Sequence, residues 1–122
     1  MQMPMTIAEV LALFQRNCRG LNGAVVATYD GLVLGATESF SGDAPAAAAA
    51  SLSVHLPQDL SIIQNSDVSE SLFWTQAGVW YLCRLEHKHL LLAHCHAAEH
   101  AGALRLAGQI AAQQLSRMVI AS

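Results

Sequence analysis

The sequence predicts an α/β domain of the α+β kind, in the order α-β-β-α-β-β-β-α, over residues 1–122. Three observations lead to this fold class. Apolar residues recur at helical spacing near both ends of the chain. Short apolar runs rich in strand-forming residues lie between the predicted helices. Asp30 and Gly31 separate two such runs, a pattern typical of a hairpin whose turn residues both take positive φ. The length suits one domain.

The first predicted helix begins after Thr6, whose side chain can cap it, and Glu9 completes a capping box. Gly20 is a candidate left-handed terminator for this helix. Two antiparallel strands follow over residues 23–29 and 32–37, joined by the Asp-Gly turn. The helix has one apolar face, made of Ile7, Val10, Leu11, Phe14 and Cys18.

The middle helix is predicted from its alanine content. Asp43 can cap this helix, and Pro45 fits its first turn, where a missing N–H has no helical partner to lose. Alanine is the best helix former, and it fills residues 46–50 of a helix that continues to Leu56. We expect Pro57 to end this helix or to start a new turn over residues 58–64, because proline disfavours the helical conformation before it.

Residues 71–75, 79–85 and 89–96 are predicted as three strands, and residues 98–119 as the last helix. The last two strands are apolar on both alternating faces, which indicates a sheet covered on both sides. The last helix carries apolar residues around so much of its circumference that we expect it to be buried over much of its girth. These residues are Leu104, Ala107, Ala111, Leu115 and Met118, with Ala103, Leu106 and Ile110 beside them.

The composition predicts an interface. Only 12% of the residues are charged, against roughly 25% in an average soluble domain. Hydrophobic residues make up 53% of the chain, so a domain this small exposes apolar surface as a monomer. Such patches usually mark interfaces, so we expect an oligomer or a permanent partner. The alternative is that alanine inflates the apolar count. A net charge of -3 with six Lys and Arg disfavours nucleic acid and anionic membranes as partners.

The cysteines and the N-terminal sequence predict the compartment. Cys18, Cys83 and Cys95 are too few and too widely spaced for a disulfide framework, which favours a reducing environment. Residues 1–5 lack the basic and apolar regions of a signal peptide, and no apolar stretch is long enough for membrane insertion. We therefore expect a cytoplasmic protein.

Three stretches, taken in order, resemble the Roadblock (dynein light chain) family. They are the hairpin with its Asp-Gly-Leu turn at residues 21–34, the alanine-rich helix at 46–56 and the closing strand pair at 78–93. The resemblance implies a five-stranded antiparallel sheet, with the first and last helices on one face and the middle helix on the other. It also implies a homodimer, or a close heterodimer with a homologous Roadblock protein. The implied partners are small Ras-like GTPases or motor and signalling complexes.

In this resemblance the dimer contact lies at the third strand and the middle helix. The residues themselves agree, because the third strand reads as an edge strand with large apolar groups, a liability unless it is covered or paired. The alternative is that this strand packs only within its own chain, as ordinary core. The predicted interface residues are Leu72, Phe73, Trp74, Ala47, Ala50 and Val54.

The chain departs from the family pattern at Pro57, which cuts the middle helix early, and at two histidines of the last strand. His94 and His96 share a strand face and, with His100, are candidate zinc ligands. A pH-sensitive interface is a second interpretation of these histidines. No Cys-x-x-Cys or His-Glu-x-x-His pattern accompanies them, so we predict neither a metal nor a cofactor.

Three functions stay open. The first is a non-enzymatic dimeric interaction module that regulates or scaffolds a small Ras-like GTPase. The second is a small-molecule- or metal-sensing domain built on the histidines, and the third is a structural subunit without a GTPase partner. We expect no catalysis, because no nucleophile elbow or phosphate loop occurs. Cys83 and Cys95 are interpreted as small hydrophobes, and Asp67 and Glu70 as solvated loop residues.

Overall fold

The computed structural model describes residues 5–64 and 67–118 and confirms the predicted order of elements. Short 3-10 turns precede α2, β5 and α3. Within the described residues no helix has both the length and the apolarity to cross a membrane. The helices are α1 (Ile7–Asn17), α2 (Asp43–Leu60) and α3 (Ala101–Ser116). The strands are β1 (Leu21–Thr28), β2 (Val33–Ala36), β3 (Glu70–Thr75), β4 (Gly78–Leu85) and β5 (His89–Cys95).

The five strands form one antiparallel sheet in the order β2-β1-β5-β4-β3. The last strand in sequence therefore lies at the centre, where Leu91 is opposite Val26 of β1 and Cys83 of β4. The third strand lies at the edge of the sheet, as its sequence predicts.

Both faces of the sheet are covered, as the two-sided apolarity of β4 and β5 predicts. Leu91 belongs to a core shared with α1 and α3, and its neighbour Leu92 belongs to a core shared with α2. The alternation of side chains along each strand thus feeds two separate cores. This confirms the layer arrangement that the Roadblock resemblance implies.

The first helix forms as predicted. The Thr6 hydroxyl accepts the Glu9 N–H at 3.1 Å, and the Glu9 carboxylate accepts the Thr6 N–H at 3.2 Å, so the capping box is complete. The predicted apolar face is turned inward, with Val10, Phe14 and Cys18 buried. Because α1 ends at Asn17, Gly20 lies in the connection to β1, where it takes the left-handed conformation with φ of 93°.

The turn between β1 and β2 differs from the prediction. Gly31 has φ of 91°, whereas Asp30 is not in the positive-φ region. Four residues, not two, connect the strands, and the Thr28 N–H donates to the Leu32 carbonyl at 2.9 Å. The Thr28 hydroxyl donates to the Asp30 carboxylate. The aspartate therefore stabilises the turn through its side chain, and only the glycine supplies the unusual backbone angle.

The middle helix differs from the prediction at both ends. Its N-cap is Gly42, and Asp43 is the first helical residue, where its charge suits the helix dipole. Pro57 does not end the helix, which continues to Leu60. Proline removes the N–H that would bond the Ser53 carbonyl. Arg84 of β4 supplies the missing donor, since its Nη2 lies 3.0 Å from the Ser53 oxygen.

The expectation that the last helix is buried over much of its girth is wrong. Its predicted main face is buried, from Leu104 to Leu115, but Leu106 is 64% exposed and Ile110 is 50% exposed. Ala103 is exposed as well. The α3 helix packs mainly on the sheet and on α1, and Leu106 and Ile110 on its outer side stay exposed among the described residues. The helix begins at Ala101, and its predicted end at residue 119 lies outside the described residues.

Replacing Gly78 with alanine is expected to destabilise the fold by roughly 2–4 kcal/mol. Gly78 has φ of 129°, and an added Cβ would collide with the carbonyl oxygens of Cys95 and His96. Gly102 is the matched control, because a Cβ there meets nothing within 4 Å in the first turn of α3. Gly102→Ala should leave stability unchanged or raise it by about 1 kcal/mol. Urea unfolding of both variants checks this, and equal losses would contradict it.

Candidate interaction surface at the edge strand and middle helix

The outer edge of β3 is open. All six residues from Glu70 to Thr75 are opposite residues of β4 on one side, and among the described residues no strand pairs with the other side. Backbone N–H and C=O groups on such an edge are a template for another strand. The edge strand therefore offers main-chain hydrogen bonding to a partner.

The three predicted interface residues on β3 point to different faces of the sheet. Leu72 packs against the core of α1 and α3, whereas Phe73 packs on the α2 side against Trp80. The rings of Phe73 and Trp80 stack with centroids 6.4 Å apart and planes inclined by 8°. Trp74 is opposite Val79 on the α1 and α3 side and is 57% exposed. The edge thus carries exposed or half-buried apolar side chains on both faces.

The predicted residues of α2 lie on its outer side or at its margin. Ala47 is exposed, Val54 is 47% exposed and Ala50 is half-buried. The buried face of the helix consists of Ala46, Ala49 and Ser53 instead. Because alanine is small, the outer side lets another helix approach closely. The outer side of α2 is therefore a weakly polar surface on the same side of the sheet as Phe73.

An apolar extension of this surface was not predicted. Leu60, Ile62 and Ile63 at the end of α2 are exposed, the two isoleucines by 85% and 86%. The sequence predicts at most a new turn over residues 58–64 and no apolar surface there. The sequence signal for this exposed apolar surface is the pair of adjacent isoleucines in a segment without strand or helix periodicity.

The interpretation of Glu70 as a solvated loop residue is wrong. Glu70 begins β3, and its carboxylate accepts the Tyr81 hydroxyl at 2.7 Å and the Arg105 Nη2 and Nε groups at 2.6 and 3.0 Å. Gln109 donates to it as well, at 3.2 Å. These groups tie the edge strand to β4 and α3. Asp67, in contrast, is exposed, as predicted.

The hydrogen bonds of this cluster change the acidity of its members. The Tyr81 hydroxyl and the Arg105 guanidinium hold the pKa of Glu70 below its ordinary value, because both donate to the ionised carboxylate. Burial raises the pKa of Tyr81, and the neighbouring carboxylate raises it further. Both groups therefore stay in the states that favour the hydrogen bond across the physiological range.

The histidines do not form the candidate zinc site. The rings of His94 and His96 lie 5.1 Å apart, but both nitrogens of the buried His94 are engaged. Its Nε2 donates to the Ala77 carbonyl at 2.9 Å, and its Nδ1 accepts from the Asn22 amide at 3.1 Å. Burial lowers the pKa of His94, which favours this neutral form. His100 packs on Gly20, and residues 5–64 and 67–118 contain no group of three ligands able to hold a metal.

The cysteines behave as small apolar residues, as predicted for Cys83 and Cys95. All three are buried free thiols. The Cys18 and Cys95 sulfurs lie 4.0 Å apart where α1 meets the end of β5. Burial raises the pKa of Cys18 and raises that of Cys95 to about 12, so neither is a ready nucleophile.

Solved structures define the fold class, which is Roadblock-like. No family model matches the chain, and no curated protein does. The chain is similar to an MglB described as having a tetrameric arrangement, with 23% identity, 91% of this chain and 85% of that chain covered, and a TM-score of 0.77. MglB of Myxococcus xanthus is 11% identical, with 91% of this chain and 92% of that chain covered and a TM-score of 0.79. A Roadblock/LC7 domain from Streptomyces avermitilis is 15% identical, with 87% of this chain and 94% of that chain covered and a TM-score of 0.68.

Glu70→Gln is expected to destabilise the protein by roughly 1–2 kcal/mol near neutral pH, because it weakens charge-assisted bonds to Tyr81 and Arg105. Asp67→Asn, at an exposed carboxylate, should change stability by less than about 0.5 kcal/mol.

The effect of Glu70→Gln also depends on pH. The folded-state pKa of Glu70 is lowered from 4.5, so its contribution is present above that value and is lost as the pH falls through the folded-state pKa. Urea unfolding of wild type and variant should therefore show a smaller difference in acid than at neutral pH. A difference that does not change with pH would refute the assigned role of the carboxylate.

Proposed function

We propose that this chain is a non-enzymatic, single-domain interaction module of the cytoplasm, in which two copies join their β3 edges and pair their α2 helices. The observation that carries the proposal is the open edge of β3 beside the uncovered outer side of α2. An open edge strand with large apolar side chains and without lysine or proline is a template for pairing with another chain. No strand within the described residues pairs with the outer edge of β3.

The symmetry of such a dimer explains why the helix and the strand act together. Two antiparallel β3 strands are related by a two-fold axis perpendicular to the sheet, so each copy keeps α2 on the same side. The outer sides of the two α2 helices then face each other across the axis. Ala47 and Val54 would lie in that contact, with Phe73 beneath them. A homologous Roadblock domain could take the place of the second copy.

The exposed apolar groups support association. Trp74 and Val54, with the two isoleucines after α2, present large apolar side chains to solvent in the single chain. Removing apolar area from water contributes roughly 25 cal/mol per Å². The chain has few charged groups, only 12% of its residues, to keep such a surface solvated. Association is the ordinary way to cover it.

We further propose that the dimer regulates or scaffolds a small Ras-like GTPase. Support comes from the Roadblock resemblance of the sequence and from the similarity of the fold to MglB structures, one of them described as a gliding protein from Thermus thermophilus. The histidine-based sensing function is not carried forward, because both nitrogens of His94 are committed within the chain. A structural subunit without a GTPase is the remaining alternative.

Wild-type protein is expected to have a solution mass of twice 13.0 kDa at micromolar concentration. Phe73→Glu should weaken the dimer at least roughly tenfold, because an unpaired charge would be buried in the contact. Trp74→Glu should act in the same way at a more exposed position. Light scattering with a circular dichroism check measures both.

Leu32→Glu is the matched control for the dimer, since Leu32 is exposed next to the opposite edge of the sheet. This variant should keep the wild-type mass. A wild-type protein that stays a single copy when concentrated would refute the dimer. If Phe73→Glu and Trp74→Glu both fold and both keep the wild-type solution mass, the contact lies elsewhere.

The GTPase proposal predicts nucleotide-dependent binding. Small Ras-like GTPases from the same organism, loaded with GDP or a non-hydrolysable GTP analogue, should differ at least roughly tenfold in affinity for the wild-type dimer. Trp74→Glu should lose this binding together with the dimer. Calorimetry measures affinity, and the hydrolysis rate separates a regulator from a scaffold. Equal or absent binding of both nucleotide forms would favour the structural subunit.

A further inference from the structure

Every second residue of β3 turns its main-chain groups to the open edge of the sheet. The Arg84 N–H donates to the Ser69 carbonyl at 2.9 Å, one residue before the pairing of Glu70 with β4 begins. Hydrogen bonds to one neighbour alternate along an antiparallel strand. The odd-numbered residues from 69 to 75 therefore bond β4, whereas the N–H and C=O groups of Glu70, Leu72 and Trp74 point outward.

These three outward residues select one register for the proposed dimer. A two-fold axis at Leu72 places Leu72 opposite its own copy and Glu70 opposite Trp74 of the second copy. All three residues of each strand are then hydrogen-bonded across the contact. Moving the axis one residue back would place Trp74 opposite residue 68, and moving it one residue forward would place Glu70 opposite residue 76, both outside β3. The register centred on Leu72 therefore forms the most main-chain hydrogen bonds.

This register brings an exposed aromatic ring to an exposed ion pair. The side chains of Glu70, Leu72 and Trp74 share the face of the sheet that carries α3, because side chains alternate along a strand. Trp74 is 57% exposed in the single chain, and the Arg105 side chain is 52% exposed although it bonds Glu70. Directly opposite side chains have Cβ atoms roughly 5 Å apart. A guanidinium within such reach attracts the face of an indole.

An open pocket beside Glu70 leaves room for the ring. The pocket has a volume of about 430 Å³ and lies between the sheet and α3. Ser69 and Glu70 of the edge strand line it on one side, and Gln109 and Gln113 of α3 line it on the other. Because two residues of β3 form its margin, the pocket reaches the edge of the sheet. A side chain that enters from a second copy therefore meets free space next to the ion pair.

We propose that Trp74 of each copy packs against the Glu70–Arg105 ion pair of the other copy, in a β3–β3 ladder centred on Leu72. This contact rests on the proposed dimer and gives that dimer its register. The indole covers one side of the guanidinium, and the two-fold axis forms the contact twice. A related domain without this tryptophan or this arginine would lose one of the two contacts, so the pair favours a second copy of this chain.

Single cysteines near the axis test the register. Two Leu72→Cys residues would form a hydrogen-bonded pair with Cα atoms roughly 5.5 Å apart, within reach of a disulfide. Two cysteines at residue 71, or two at residue 73, would be offset along the strands and roughly 8 Å apart, which is too far. Mild oxidation should therefore link Leu72→Cys at least roughly tenfold more than Ser71→Cys or Phe73→Cys on a non-reducing gel. Wild type, whose three cysteines are buried, gives the background.

A double-mutant cycle tests the side-chain contact. Trp74→Leu and Arg105→Gln should each raise the dimer dissociation constant roughly fivefold, and the double variant should be little weaker than either, because each change removes the same contact. Tyr81→Phe is the matched control, since it also removes a donor to Glu70 but lies buried within its own chain. The fold-changes of Tyr81→Phe and Trp74→Leu should multiply. Analytical ultracentrifugation measures the dissociation constants, and thermal unfolding checks that each variant folds.

The outcomes distinguish a wrong contact from a wrong dimer. Multiplying effects of Trp74→Leu and Arg105→Gln would refute the contact, and a stronger link at residue 71 or 73 would refute the register, while the dimer remains. Protein of twice the single-chain mass that links at none of the three positions would refute the joining of β3 edges. Wild-type protein with the mass of one chain at every concentration would refute the proposed function, and the tryptophan contact with it.

Discussion

The burial of β5 on both of its faces is the constraint on which the rest of the structure depends. All seven of its residues are buried, although successive side chains point to opposite sides of the sheet. A strand of this kind needs a neighbour along each edge and a helical layer on each face. The chain meets the first need with β1 and β4, and the second with α2 on one side and the pair α1 and α3 on the other. Within the part of the chain that the structure describes, the outer edges of β2 and β3 and the outer sides of the helices remain uncovered.

The polar cluster at Glu70 gives the outermost strand a fixed position. A free edge with only one neighbour would fray at its ends, and the start of β3 is held by side chains from β4 and α3. The strand conformation that the proposed dimer requires is therefore formed in advance. Because the strand is already ordered, the proposed association would lose less conformational entropy, which favours binding.

Local signals in the sequence were sufficient for the order of elements, the capping box at Thr6 and the edge position of the third strand. Contacts between residues far apart in the chain leave no such local signal in the sequence. Pro57 continues a helix because Arg84, far along the chain, bonds the carbonyl that proline leaves free. Glu70 takes a structural role because α3 brings Arg105 to it. The exposure of Leu106 follows from the absence, among the described residues, of a further layer over the outer side of α3, which periodicity alone does not reveal.

The alanines of α2 have a consequence for the choice of partner. In the proposed dimer, a contact made from alanine methyl groups and a main-chain edge would contain little that distinguishes one copy from a related domain, because neither element displays chemically distinctive groups. A related domain could then replace one copy of the proposed dimer unless a few bulky side chains prevent it. Phe73 and Trp74 are the bulky groups next to the proposed contact, so their shapes would decide which related domains fit against this edge.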